Sequence, residues 1–255
     1  MTARRRNKRR RRGRASFPLR LLCLAVVLAA AAGALTMFFR TGVIVVEGNE
    51  RYSKEQIIAA AGVQQGDNLV LLNKYKIKQA VFDALPYVET VAISRKYPDA
   101  LILTVTECSA AAALPGEGGV WLMSSAGKLL EKTAGVPEGT AEVTGCTLSD
   151  PAAGKAAAFA EEDSYKLERL LELLREAAGR SLLVHIGTID LGDGAHITFT
   201  YQDRFTVKLP WDADMDRSLR AVQKVVDERL ESNERGEINL MNLTAEGRAY
   251  FIPEG

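Results

Sequence analysis

Nineteen uncharged residues stand between Arg20 and Arg40, "LLCLAVVLAAAAGALTMFF" from Leu21 to Phe39. At about 1.5 Å rise per residue, a helix of that length covers roughly the 30 Å hydrocarbon core of a bilayer. The first twenty residues hold ten Lys or Arg and no acid. Two fates fit this layout. In a cleaved signal peptide, the small residues Ala32–Ala34 would form the cleavage site. In an uncleaved anchor, the apolar run continues past that site through Met37, Phe38 and Phe39. The run is long for a signal-peptide core and the basic tail is long for its flank, so the anchor is favoured. The positive-inside rule then leaves the tail in the cytoplasm and Thr41 onward outside. The tail could also meet anionic lipid or nucleic acid, but it lacks the interleaved aromatics that stack on single-stranded bases.

Charge supports the division. The whole chain has 33 basic and 32 acidic residues, a net +1. Eleven of the basic residues lie at or before Arg40, so 22 face all 32 acids beyond it, a balance of −10. A cationic end and an acidic remainder suit different environments. Of the three cysteines, Cys23 falls in the apolar run. Cys108 and Cys146 would lie outside, where a bond between them is allowed and is left open.

Residues 43–107 parse as one module. "VIVVE" (Val43–Glu47) is a short β-branched strand, ended by the turn signal Gly48-Asn49. "SKEQ" at Ser53–Gln56 is a capping box, opening a helix that stops at Gly62. Asn73 can cap a second helix, on which Ile77, Val81 and Leu85 share one face. Pro86 ends it. The stretch "LPYVETVAISRKYPDALILTVTE" (Leu85–Glu107) then reads as two strands about a Pro98-Asp99 turn, with Leu101, Leu103 and Val105 on one face. The order is β-α-α-β-β.

The pattern "V-x-V-x-GN-x-x-x-S", then "G-D-N-L", then "LPYV-x-x-x-x-I-x-R-x-YP-x-x-L-x-L-x-V-x-E" resembles the POTRA domain of the FtsQ/DivIB cell-division proteins. Its carriers are Gly48, Asn49, Leu85, Pro86, Arg95, Tyr97, Pro98, Leu101, Val105 and Glu107. The layout of basic tail, single anchor, POTRA domain and second β-rich domain is similar too. The family commonly follows that Glu with a basic residue and Pro, where this chain has Cys108-Ser109-Ala110.

Residues 109–119 ("SAAAALPGEGG") are small and read as a hinge. Val120–Glu131 reads as a hairpin turning near Ser125–Gly127; the family commonly places an acid near that turn, where Ser124 and Ser125 stand here. Residues 133–160 are rich in Ala, Gly and Pro and remain unassigned. Ser164 is a candidate cap for a helix with Leu167, Leu170, Leu171 and Leu174 inward. "LLVHIGTIDL" reads as a strand, "HITFTY" and "RFTVKL" as a hairpin about Gln202-Asp203. A helix over Asp214–Glu231 follows, with Leu219, Val222, Val226 and Leu230 inward. Strands over Gly236–Leu243 and Arg248–Ile252 finish the chain. The expected fold is therefore α+β: a basic tail (1–20), a transmembrane helix (21–39), a POTRA domain (41–108), a hinge (109–119) and a mixed α/β domain (120–255) with a mainly antiparallel sheet.

No catalytic pattern stands out. His185 and His196 sit on expected strands, and HExxH, CxxC, GxSxG and Walker sequences are lacking. "GDGAH" (Gly192–His196) lacks the oxygen ligands of a cation loop. Glu161, Glu162 and Asp163 read as the acidic approach to a helix. Trp121 and Trp211 read as core or rim residues. The expectation is a binding protein, with no enzyme activity and no cofactor.

The resemblance implies a single-pass plasma-membrane scaffold of the division septum. Its implied partners are single-span coiled-coil proteins of the FtsL and FtsB/DivIC types and, through them, a septal peptidoglycan synthase. In the family the last strands carry the main partner surface. The corresponding residues here are Asn239, Leu240, Met241, Asn242, Leu243 and Thr244. Family members often have Asp-Leu-Arg-Tyr where this chain has Asn239-Leu240-Met241-Asn242, so only Leu240 is kept. Addition of a partner strand to a sheet edge depends less on side-chain identity, because backbone groups make the bonds. The alternative is a secreted or anchored POTRA-containing chaperone or transport-associated protein, which cleavage at Ala34 would favour.

Overall fold

The computed structural model describes residues 16–243 and 247–254. The chain divides into two compact units, Met1–Lys78 with Ala92–Thr104, and Gln79–Val91 with Val105–Gly255.

The first unit opens with helix α1 (Ser16–Phe38). Among the described residues no helix is long and apolar enough to cross a membrane, so the expected span over 21–39 rests on its sequence. Strand β1 (Val43–Glu47) follows. Helix α2 (Lys54–Ala61) starts at the expected capping box: the Gln56 amide donates to Ser53 Oγ at 3.2 Å, and the Ser53 amide donates to Gln56 Oε1 at 2.8 Å. Gly62 closes it in the left-handed region at φ +63°, a conformation that suits glycine because it lacks Cβ. Helix α3 (Lys74–Ala84) is capped as read, with Asn73 Oδ1 accepting from the Tyr75 and Lys76 amides at 3.0 and 3.2 Å.

Strands β2 (Val88–Lys96) and β3 (Ala100–Glu107) complete a three-stranded sheet ordered β1-β3-β2. β1 runs parallel to β3, with Val43 opposite Ala100 and Glu47 opposite Thr104. The β-α-α-β-β order is therefore present. Alternation dictates the core: Leu101 and Leu103 are fully buried on one face of β3, and Ile44, Ile57, Leu69 and Ile77 are buried in the same unit.

The second unit is built on a nine-stranded sheet. Its strands are β4 (Ala112–Gly116), β5 (Gly119–Met123), β6 (Leu129–Thr133), β7 (Ala141–Thr144), β8 (Ile186–Asp190), β9 (His196–Tyr201), β10 (Phe205–Pro210), β11 (Gly236–Asn239) and β12 (Tyr250–Pro253). They lie in the order β12-β11-β10-β9-β8-β7-β4-β5-β6. The β10–β11, β7–β8 and β4–β7 pairs are parallel and the others antiparallel. Helices α4 (Ser164–Gly179) and α5 (Met215–Arg229) add their apolar stripes to the same core as Ile189, Ile197, Phe199 and Val207.

Several expectations are corrected here. Residues 112–116 of the expected hinge are β4, and Ala112, Ala113 and Leu114 are fully buried. The alanines are small because they pack, not because the chain must bend. Ser164 begins α4 instead of capping it; Asp163 is the cap residue and its carboxylate pairs with Lys166 Nζ at 2.6 Å. The buried stripe of α4 is Leu170, Leu173, Leu174 and Ala177, the expected spacing set three residues later. Leu183–His185 is a short 3₁₀ turn, so the strand read from "LLVHIGTIDL" begins only at Ile186. The unassigned 133–160 stretch contributes β7. Helix α5 matches its expectation closely, with Asp214 Oδ1 accepting from the Arg217 amide at 2.9 Å. Cys108 and Cys146 are free thiols; burial pushes the Cys146 thiol up to about 12.

Candidate partner-binding edge

The two ends of the nine-stranded sheet differ. At the β6 end the chain covers its own edge: the Leu129 amide donates to Lys155 O and the Gly154 amide to Leu129 O, both at 2.8 Å. At the other end β12 is the outermost strand, paired only with β11 among the described residues. Asn239 lies opposite Tyr250, Ile238 opposite Phe251 and Glu237 opposite Ile252.

The direction of the free groups follows from pairing. The Glu254 amide donates to Arg235 O at 2.9 Å, on the β11 side. A Cβ placed on Gly236 would sit 2.2 Å from Ile252 O, so that carbonyl also faces β11. Alternation along an antiparallel strand then turns the Phe251 N–H and C=O, and the Pro253 C=O, outward. Pro253 has no N–H to offer. The side chains alternate too. Phe251 stands edge-on to Phe205, with ring centroids 6.1 Å apart, and Ile252 is 53% exposed. A strand added here would meet backbone donors and acceptors beside an apolar side chain.

Behind the edge, β10 and β11 are joined by an ion pair between Lys208 Nζ and Glu237 Oε2 at 2.7 Å. Asn239 Nδ2 donates to Glu237 Oε1 at 3.1 Å. The hydrogen bond from Lys208 holds the Glu237 carboxyl below its ordinary value of 4.5. A carboxyl lowered on folding contributes stability that is present above 4.5 and lost as pH falls through its lowered folded value. Thermal unfolding followed from pH 7 downward is expected to show a smaller acid-side loss in Glu237→Gln than in the parent. Arg204 closes the loop before β11, donating to Glu231 O at 3.2 Å and Ser232 O at 2.8 Å.

The residues expected to bind partners fall unevenly. Asn239 ends β11, inside the sheet rather than at its rim. Leu240 is 1% exposed and Leu243 7%, and both belong to the hydrophobic core. Met241 and Asn242 are exposed, and the Met241 amide is held by Asn239 Oδ1 at 3.1 Å. Thr244 lies outside the described residues. The outermost strand among the described residues is β12, Tyr250–Pro253. The signal for it was the end of the strand pattern near Ile252, which gives a last strand but not its place in the sheet.

The residues that carry the family resemblance take structural places. Gly48 turns at φ +79°, and Asn49 Nδ2 donates to Tyr52 O at 2.9 Å. The Arg95 guanidinium donates to Leu72 O. The Tyr97 ring stands edge-on to Phe39, centroids 5.1 Å apart, before a cis Pro98. Leu85, Leu101 and Val105 are buried, while Pro86 and Glu107 are half-buried. His185 stands edge-on to Tyr201 and His196 Nδ1 lies 3.3 Å from Asp193 Oδ1. Among the described residues no three His, Cys, Asp or Glu gather as a metal site.

Residues 39–107 match the model of the POTRA domain, FtsQ-type. This chain therefore carries a POTRA domain of that kind. Over 126 residues it is 29% identical to the cell division protein FtsQ of Corynebacterium glutamicum, covering 48% of this chain and 55% of that one. Both findings make the chain similar to the FtsQ/DivIB cell-division proteins. The match spans about half the length of this curated relative. A solved structure of the major extracytoplasmic domain of the trans isomer of DivIB from Geobacillus stearothermophilus aligns with 49% of this chain and 99% of that one, at 14% identity and a TM-score of 0.31.

Proposed function

We propose that this protein is a single-pass membrane scaffold of bacterial cell division, acting by binding and not by catalysis. The observation that carries the reading is an FtsQ-type POTRA domain in a chain whose second unit ends in an open edge strand, β12. The partners would be single-span coiled-coil proteins of the FtsL and FtsB/DivIC types, and through them a septal peptidoglycan synthase. One of their segments would add as a further strand beyond Tyr250–Pro253. Main-chain bonds to Phe251 would supply affinity, and the exposed Ile252 would supply side-chain contact. The POTRA domain would span 41–108 and the partner-binding domain the residues beyond it, with Met241 and Asn242 as rim contacts.

The apolar α1 supports a plasma-membrane anchor. Leu21, Leu22, Leu24, Val26, Val27 and Leu28 are each exposed. A helix that is apolar all round favours a nonaqueous setting. With the basic tail inside and the domains outside, protein and partners share one plane, which raises their effective concentration. Crosslinking and affinity purification of the full-length protein from dividing cells is expected to recover single-span coiled-coil proteins and a septal synthase, with the N-terminal tail intact. Recovery of a chain cleaved after Ala34, carrying secreted clients, would instead support the chaperone or transport reading.

A further inference from the structure

The loop between α2 and α3 presents an apolar tip that the β12 reading does not use. Its base is tied to the residues that leave α1. The Leu69 amide donates to Phe39 O at 2.9 Å, the Thr41 amide to Asp67 O at 2.7 Å, and the Gly66 amide to Thr41 O at 2.8 Å. Arg40 and Asn68 form an antiparallel bridge. Leu69 is fully buried, so the loop is pinned from below. Beyond it the chain turns outward: Val70 is 49% exposed, Leu71 73% and Tyr75 76%.

This tip is ordered rather than loose. Asn68 Oδ1 accepts from the Val70 and Leu71 amides at 2.9 and 3.3 Å. Arg95 holds the Leu72 carbonyl. Holding a leucine and a valine rigidly toward solvent gains nothing in water, and such a patch marks a contact surface.

Two features say what kind of surface. The first is continuity with α1: the backbone bonds just given place the tip within a few residues of the end of the apolar helix. The same end carries aromatic rings, with Phe38 exposed and Phe39 edge-on to Tyr97. Aromatic rings gather where a membrane meets water. The second feature is charge. Asn68–Phe82 contains Lys74, Lys76 and Lys78 and no acidic residue. Lys74 and Lys76 are exposed beside Tyr75. Apolar tips flanked by lysines match a bilayer surface with anionic headgroups, where the apolar groups enter the acyl boundary and the ammonium groups meet phosphate.

We propose that Val70, Leu71 and Tyr75, with Lys74 and Lys76, form a second membrane contact that lays the first unit on the anionic outer face of the bilayer. The inference rests on α1 being a membrane anchor. It assigns the α2–α3 loop to lipid, leaving β12 for protein.

The test uses the full-length chain in nanodiscs containing phosphatidylglycerol. A benzophenone amino acid is placed at Leu71, at Leu28 in α1, or at Glu47 as an exposed control. Irradiation is followed by mass spectrometry of lipid adducts. Adducts at 28 and 71 but not at 47 are expected. Lys74→Glu/Lys76→Glu is expected to lower the yield at 71, by roughly fivefold for each lysine lost, and to leave the yield at 28 unchanged. Adducts at 28 with none at 71 would overturn this inference and leave the anchor standing. None at 28 would overturn the anchor, and none at either position would overturn both.

Discussion

Ile252→Glu is expected to weaken binding of the partner segment by about thirtyfold, a loss of roughly 2 kcal/mol, while the thermal midpoint of the free protein stays within a degree or so. The side chain is 53% exposed on the outermost strand, so replacing it removes little packing from the folded chain. In a strand-added complex the same position faces its neighbour across the new ladder. An acid there must lose solvent in an apolar contact, and charged edge residues are a common way to discourage strand addition. Ile252→Thr, which keeps the β-branch, is expected to bind more tightly than Ile252→Glu. Titration of the purified ectodomain partner with parent and variant chains measures both effects.

Leu240→Ala is expected to act in the opposite way, destabilising the fold by about 2–5 kcal/mol as other buried Leu-to-Ala replacements do. Leu240 is 1% exposed and sits in the core with Ile238 and Val207. Its amide donates to Lys208 O at 2.8 Å, extending the β10–β11 pairing past Asn239. Removing the side chain leaves a cavity under the strand that supports β12. Denaturant unfolding is expected to shift to lower midpoint, and partner affinity measured well below that midpoint is expected to change far less than in Ile252→Glu. A Leu240→Ala chain of parental stability that fails to bind would restore Leu240 as a contact residue.

The sequence was most legible where one local rule decides the structure. The capping box at Ser53–Gln56 and the Asn73 cap each need only residues within a turn, and both form. The strict alternation of Leu101, Leu103 and Val105 likewise fixed one buried face. Reading failed where the answer depends on distant partners. "SAAAALPGEGG" is small in every position, which suits a hinge and a close-packed strand equally; the β5 and β7 pairings decide for the strand. The place of the sheet edge was hidden for a related reason. Of the strand expected over 236–243 only Gly236–Asn239 forms, and strand order was not readable at all. Only the sheet order places β12 outside β11 among the described residues. The recognisable family residues sit mainly in turns, hairpin and core, so they identify the domain without marking a contact surface.

Amide hydrogen exchange resolved at Phe251, in the free protein and with a coiled-coil partner bound, tests the central claim most directly. Pairing geometry turns this N–H away from β11, so it should exchange fast in the free chain and slow by at least tenfold when a partner strand accepts from it. The amide of Ile252, which faces β11, should change much less. If Phe251 exchanges equally fast in a saturated complex, the partner is not held by strand addition at β12, and the account of this edge is wrong.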